Sequence, residues 1–159
     1  MAVARNIVIL LIEDSATVRT LYKKTFEDAG FEVIEAEYGQ MGLKLAIEEK
    51  PDIIVLDMLL PDIHGLEVLE SIRANEGTKQ IPVLALTSLR EVQDIQKAIN
   101  LGANYYSVKG SDSPQKLLDM IYKLLKRSFS GAAQTESDEA DKPDQKTQID
   151  ENDIEFLVS

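Results

Sequence analysis

The chain has 159 residues, a formal charge of −11 and no cysteine. That length fits one core of ordinary size, the missing thiols exclude a disulfide framework and a thiolate zinc site, and the negative charge argues against nucleic acid as a direct partner. No signal peptide is recognisable and no apolar stretch approaches the roughly 20 residues of a membrane span, so a cytoplasmic domain without membrane insertion is expected.

The first element is Ile7–Ile12, a continuous apolar run of the kind buried on both faces of a parallel sheet. It ends on Glu13-Asp14. From Ser15, the apolar residues Val18, Leu21, Tyr22, Phe26 and Ala29 recur at helical spacing until Gly30 stops the pattern. Glu32–Ala36 supplies a second strand. Residues 40–50 predict a second helix with Leu43, Ala46 and Ile47 turned inward and Pro51 just beyond it. Ile53–Leu56 is another apolar run, ending on Asp57, and Leu66–Ala74 predicts a helix burying Val68, Leu69 and Ile72. Val83–Leu86 ends on Thr87, and a helix is predicted over Glu91–Leu101 with Val92, Ile95 and Ile99. Tyr105–Val108 ends on Lys109. The last helix begins at Ser113-Pro114, an N-cap followed by proline at the first helical position. It buries Leu117, Leu118, Ile121, Leu124 and Leu125, and Lys126-Arg127 at its end suits the helix dipole. Strand alternating with helix five times predicts a doubly wound α/β domain.

The charge is unevenly placed. Residues 128–159 hold nine acidic and two basic side chains, a net of −7, leaving −4 for residues 1–127. The domain is therefore placed at 1–127, and 128–159 reads as an acidic, disordered tail or linker. It finishes in Ile154, Phe156, Leu157 and Val158, a cluster that suits either a partner-docking motif or the stub of a linker.

If the apolar runs are parallel strands, Glu13, Asp14, Asp57, Thr87 and Lys109 gather at the carboxyl edge of the sheet, where open α/β sheets hold their ligands. Each residue alone has a plain structural explanation, such as a strand-end cap or a solvated lysine; the joint spacing is what points to a site. Three neighbouring acids repel one another, which raises their pKa values or demands a cation. Oxygen-only donors favour a hard ion, and a site that shares carboxylates, water and phosphate oxygens favours Mg²⁺. An aspartate attacking phosphorus gives an acyl phosphate. Lys109 would neutralise the transferring group opposite the metal, and Thr87 would offer its hydroxyl to a phosphoryl oxygen.

Four pieces carry a resemblance: Glu13-Asp14, the stretch Asp57-Met-Leu-Leu-Pro61-Asp-Ile-His-Gly65, Thr87-Ser88, and Tyr106-Ser-Val-Lys109. Over about Asn6–Arg127 the chain resembles the receiver domain of two-component response regulators. The resemblance implies the flavodoxin-like strand order 2-1-3-4-5 with helices on both faces, and Mg²⁺-dependent phosphoryl transfer to Asp57 from a histidine of a sensor kinase or phosphotransfer protein. It implies Asp14 as a direct metal ligand, Glu13 as a ligand mostly through water, and Asp57 and the Leu59 carbonyl as further ligands. Thr87 and Tyr106 become the implied switch pair, reshaping the face built from the fourth helix, fifth strand and fifth helix. Leu59 and Leu89 occupy the places that influence hydrolysis in this family; neither can hydrogen-bond a water, so slow self-dephosphorylation is expected. The resemblance also places kinase docking on the first helix at Ala16, Arg19, Thr20 and Lys23, and it is compatible with a phosphorylation-dependent homodimer. The downstream protein target stays open. A stand-alone messenger, a phosphorelay intermediate and the receiver fragment of a larger regulator all fit.

Two residues depart from the pattern. Gly110 follows Lys109 where the family usually has proline, which predicts a more mobile lysine loop, and Glu13 replaces the commoner aspartate. A flavin or nucleotide site would need a Gly- or Ser/Thr-rich phosphate loop after the first strand, where this chain has two acids. The cobalamin pattern Asp-x-His-x-x-Gly starts at Asp62-Ile-His64 but meets Glu67 instead of glycine, leaving His64 as a surface loop residue. An aspartyl-phosphate phosphatase would need an acid at Leu59. The remaining rival is a degenerate receiver that serves as a non-phosphorylated interaction module, with Gly110 its only support.

Overall fold

The computed structural model describes residues 5–88 and 92–131. Five strands alternate with five helices: β1 Val8–Ile12, α1 Ala16–Asp28, β2 Glu32–Ala36, α2 Gly39–Glu49, β3 Ile53–Asp57, α3 Gly65–Ala74, β4 Val83–Thr87, α4 Val92–Asn100, β5 Tyr105–Val108 and α5 Pro114–Gly131. The strands form one parallel sheet in the order β2-β1-β3-β4-β5. This is the doubly wound, flavodoxin-like arrangement.

The strand pleat divides the core. Alternate residues of a strand point to opposite faces, so Ile9, Leu11, Ile53, Val55, Leu84 and Leu86 join Tyr22 and Phe26 of α1 and Leu117, Ile121 and Leu124 of α5. Their neighbours Leu10, Ile12, Ile54, Leu56, Val83 and Ala85 join Ala46 of α2, Val68, Leu69 and Ile72 of α3, and Ile95, Ala98 and Ile99 of α4. Helices thus cover both faces; β3 and β4 are buried throughout, and β1 is buried beyond its first residue.

Helix ends follow local chemistry where the cap is local. Ser15 caps α1, its hydroxyl accepting from the Val18 amide at 3.3 Å, and the Ser113 hydroxyl accepts from the Lys116 amide at 3.2 Å at the head of α5. After α1 the chain turns through Gly30 at φ +98°, a left-handed conformation that suits glycine. α2 is capped from a distance: Tyr38 lends its helix no side-chain bond, and Asp62 accepts from the amides of Gly39 at 2.8 Å and Gln40 at 2.9 Å. His64, expected in a loop, is exposed and caps α3, its Nδ1 accepting from the Leu66 amide at 3.1 Å.

Several sequence expectations need correcting. Leu21 is 51% exposed and Ile47 40% exposed, because each helix has a narrower inward stripe than its apolar residues suggest. In α1 that stripe is Val18, Tyr22 and Phe26, with Ala29 outside it. α5 continues past Arg127 to Gly131, so Lys126-Arg127 is not its final turn and residues 128–131 are helical. The rest of the expected tail, 132–159, lies outside the described residues, as does Leu89. Among the described residues no helix is long and apolar enough to cross a membrane.

Candidate functional site

Parallel register brings the strand ends together. Ile12 of β1 stands beside Leu56 of β3, Asp57 beside Leu86 of β4, and Thr87 beside Val108 of β5. Glu13 and Asp14 follow β1 directly, Asp57 and Thr87 close β3 and β4, and Lys109 follows β5. All five expected residues therefore reach the carboxyl edge.

Glu13 and Asp57 are almost wholly buried, at 0% and 1% exposure, whereas Asp14 faces solvent. Lys109 Nζ lies 2.8 Å from Glu13 Oε1 and 2.8 Å from Asp57 Oδ2. The contact to Asp57 is a hydrogen bond; Glu13 Oε1, although close to the ammonium, accepts no well-directed hydrogen bond. The second oxygens are held by backbone: Glu13 Oε2 accepts from the Ser15 amide at 3.0 Å and Asp57 Oδ1 from the Leu59 amide at 3.0 Å. Burial pushes the Glu13 carboxyl up to about 7, against the lowering effect of Lys109 and the Ser15 amide. Burial lowers the Lys109 ammonium, but the adjacent carboxylates of Asp57 and Glu13 outweigh it and leave its pKa raised.

One ammonium faces three carboxylates. A carboxylate oxygen from each of Glu13, Asp14 and Asp57 lies within 4.8 Å of the others. Three carboxylates gathered at one strand edge form an oxygen-only donor set that fits a hard divalent cation, and Mg²⁺ is the ion expected there.

The surrounding loops are built to hold these groups. Gly65 is the first residue of α3; a Cβ there would lie 2.4 Å from Met58 Cα and 2.7 Å from the Asp57 carbonyl oxygen. Only glycine lets the helix approach the end of β3 this closely. The Lys109 amide bonds the Thr87 carbonyl at 2.7 Å, tying β5 to β4 beside the site. Gly110 adopts φ +82°, and the described residues contain no cis peptide bond. With glycine in the place of the usual proline, Lys109 still contacts both acids. Thr87 and Tyr106 are each 4% exposed, and the Tyr106 ring belongs to the core cluster containing Ile95, Ala98 and Ile99.

Arg19 differs from its expected role. Its guanidinium does not project from α1 but folds back, Nη1 donating to the carbonyls of Glu13 at 2.9 Å and Asp14 at 3.3 Å. Glu35, 3.2 Å from its Nε, anchors it, and Lys23 pairs with the same carboxylate at 2.9 Å. Of the outward set named on α1, Ala16 and Thr20 are exposed. Arg19 thus braces the loop that carries the acidic pair. Its helical position gave no sign of this, because the partner carbonyls lie in a loop preceding the helix.

The response regulator receiver domain model matches residues 9–122. The chain belongs to the response regulator receiver domain family. As a receiver it is 37% identical over 120 residues to the DNA-binding dual master transcriptional regulator RpaA of Synechocystis, covering 76% of this chain and 49% of that protein. It is 36% identical over 128 residues to the alkaline phosphatase synthesis transcriptional regulatory protein PhoP of Bacillus subtilis, covering 80% and 52%. This receiver therefore spans about half the length of the curated relatives it matches. Among solved structures, a putative response regulator from Chloroflexus aurantiacus superposes with a TM-score of 0.73 at 29% identity, over 77% of this chain and 100% of that one.

Proposed function

We propose that this receiver accepts a phosphoryl group on Asp57 from the phosphohistidine of a sensor histidine kinase or phosphotransfer protein. The observation that carries the reading is the buried Asp57 carboxylate, which Lys109 and the Leu59 amide hold from two sides at the sheet edge. An Asp57 oxygen attacks phosphorus as the N–P bond of the donor breaks, and the bonding pair returns to the imidazole nitrogen. Glu13, Asp14, Asp57 and the Leu59 carbonyl would hold Mg²⁺, which when bound neutralises charge on the transferring group. Lys109 passes from Asp57 to a phosphoryl oxygen, and the Thr87 hydroxyl takes another. Movement of Thr87 then frees Tyr106 to repack the α4–β5–α5 face, where the downstream protein binds and a second copy of the chain could pair. Leu59 gives no hydrogen bond to an attacking water, so the acyl phosphate is long-lived.

A receiver working without phosphorylation has lost its support, because Lys109 reaches Asp57 despite Gly110. Cytoplasmic residence follows from the proposed kinase partner. Intact mass after incubation with Mg²⁺ and acetyl phosphate tests the proposal. A gain of one phosphoryl group, abolished by Asp57→Ala and by EDTA, is expected; no gain in the folded wild type would overturn it.

A further inference from the structure

β5 carries a polar residue that the acceptor chemistry does not use. Ser107 is 1% exposed, and its hydroxyl donates to Asp112 Oδ2 at 2.6 Å. Asp112 Oδ1 lies 3.1 Å from Lys116 Nζ in the first turn of α5, and the Asp112 side chain is itself only 4% exposed. Burying a serine and an aspartate is costly unless each is hydrogen-bonded. Here the pair joins the end of β5 to the head of α5 across the turn that begins with Lys109.

That turn has little else to fix it. Gly110, at φ +82°, would have no atom within 4 Å of an added Cβ, so nothing beyond its chain neighbours packs against this position. Among the described residues its backbone is held by bonds from the Lys109 amide to Thr87 at 2.7 Å and from the Ser111 and Asp112 amides to Val108 at 3.1 and 3.4 Å. Lys109 must nevertheless keep Nζ 2.8 Å from Asp57. A flexible lysine stem loses rotamer freedom when held so, and a misplacement of about 1 Å at a reacting group can cost a hundredfold in rate.

We infer that Ser107 and Asp112 form a latch that positions Lys109 for phosphoryl acceptance by closing the β5–α5 turn from beneath. The inference rests on the proposed acceptor role of Asp57. Neither residue touches the reacting atoms; both act through the backbone that aims the lysine.

The test uses the full chain and the variants Ser107→Ala, Asp112→Ala and Asp112→Asn, each checked for cooperative melting. Three quantities are read: the maximal rate of phosphorylation at saturating Mg²⁺ and acetyl phosphate, Mg²⁺ affinity by calorimetry, and hydrogen exchange of the Lys109 amide by NMR. Ser107→Ala and Asp112→Ala should lower the maximal rate about tenfold, the scale of one lost charge-assisted hydrogen bond. They should speed Lys109 exchange and leave Mg²⁺ affinity unchanged. Asp112→Asn keeps an acceptor for Ser107 and should recover most of the rate. A wild-type rate in folded Ser107→Ala, or parallel losses of rate and Mg²⁺ affinity, would overturn the latch. If the wild type takes up no phosphoryl group, the acceptor role itself fails, and unchanged Lys109 exchange in the variants would then overturn the latch separately.

Discussion

Replacing Gly65 by alanine sets two effects of opposite sign against each other. In a helix, alanine is preferred to glycine by about 1 kcal/mol, so propensity alone predicts stabilisation. The structure predicts the reverse. The new Cβ would sit 2.4 Å from Met58 Cα, 2.7 Å from the Asp57 carbonyl oxygen and 3.0 Å from the Met58 carbonyl carbon. All three are backbone atoms at the end of β3, which is paired on both sides, so no side chain can swing away. Overpacking a fixed core costs about 1–3 kcal/mol. Taking the upper end and returning the helix preference leaves a net loss of about 2 kcal/mol. At about 2.1 cal/mol/K per residue, this lowers the Tm of the described domain by about 8 °C. Thermal melting followed by circular dichroism, without divalent metal, reads the shift. Gly110→Ala is the comparison, since it meets nothing within 4 Å and pays only for its φ of +82°, about 1 kcal/mol. A rise in Tm for Gly65→Ala, or a fall smaller than that of Gly110→Ala, would refute the steric argument.

Arg19→Ala removes the brace from the Glu13 and Asp14 carbonyls. Mg²⁺ affinity should fall by roughly three- to tenfold, as expected when a hydrogen bond to a charged group is lost near a ligand pair; calorimetric titration showing wild-type affinity would return Arg19 to the surface. Leu59→Asn offers a hydrogen bond to water near Asp57 and should shorten the half-life of the phosphoprotein, followed by mass or by ³²P release, whereas an unchanged half-life would sink the explanation for a stable acyl phosphate. The third test concerns Asp52, whose carboxyl burial pushes up but which the Arg5 guanidinium and the Val8 amide hold below its ordinary value. A depressed carboxyl stabilises the fold above its unfolded pKa of about 3.9 and loses that contribution as the pH falls through the lower folded value. Urea unfolding should therefore show Asp52→Asn to be weaker than the wild type at pH 5, with the gap narrowing below about pH 4. A gap that stays constant with pH would count against this linkage.

The sequence revealed most about groups whose partners are near in the chain. Ser113 announced its helix because a cap bonds two or three residues onward, and the same short reach lets Ser15 hold the start of α1. The five site residues were legible because parallel strands share one carboxyl edge, so the residue ending each apolar run reaches the same place. What could not be read depends on long-range approach. Asp62 looked like part of a failed cofactor motif, yet it caps a helix beginning at Gly39. Arg19 looked like a docking residue because helical phase gives the direction of a Cβ, not where a long side chain folds back. Ser107 was lost inside a short apolar run, since nothing in the run indicates that Asp112 will return beneath it. Leu21 and Ile47 were assigned inward because an apolar residue near the edge of a stripe is ambiguous by about one helical position.

The sheet is a single residue thick, and its alternating side chains give the domain two interiors that meet only through backbone. One is closed by α1 and α5, the other by α2, α3 and α4. Volume changes in the first, such as at Phe26 or Ile121, need not be matched in the second at Leu69 or Ile99, because no side chain is shared between them. Energetic effects of paired substitutions across the sheet should then add, while pairs within one interior should couple. Each face can consequently be repacked without a matching change in the other, although both end on the same acidic edge.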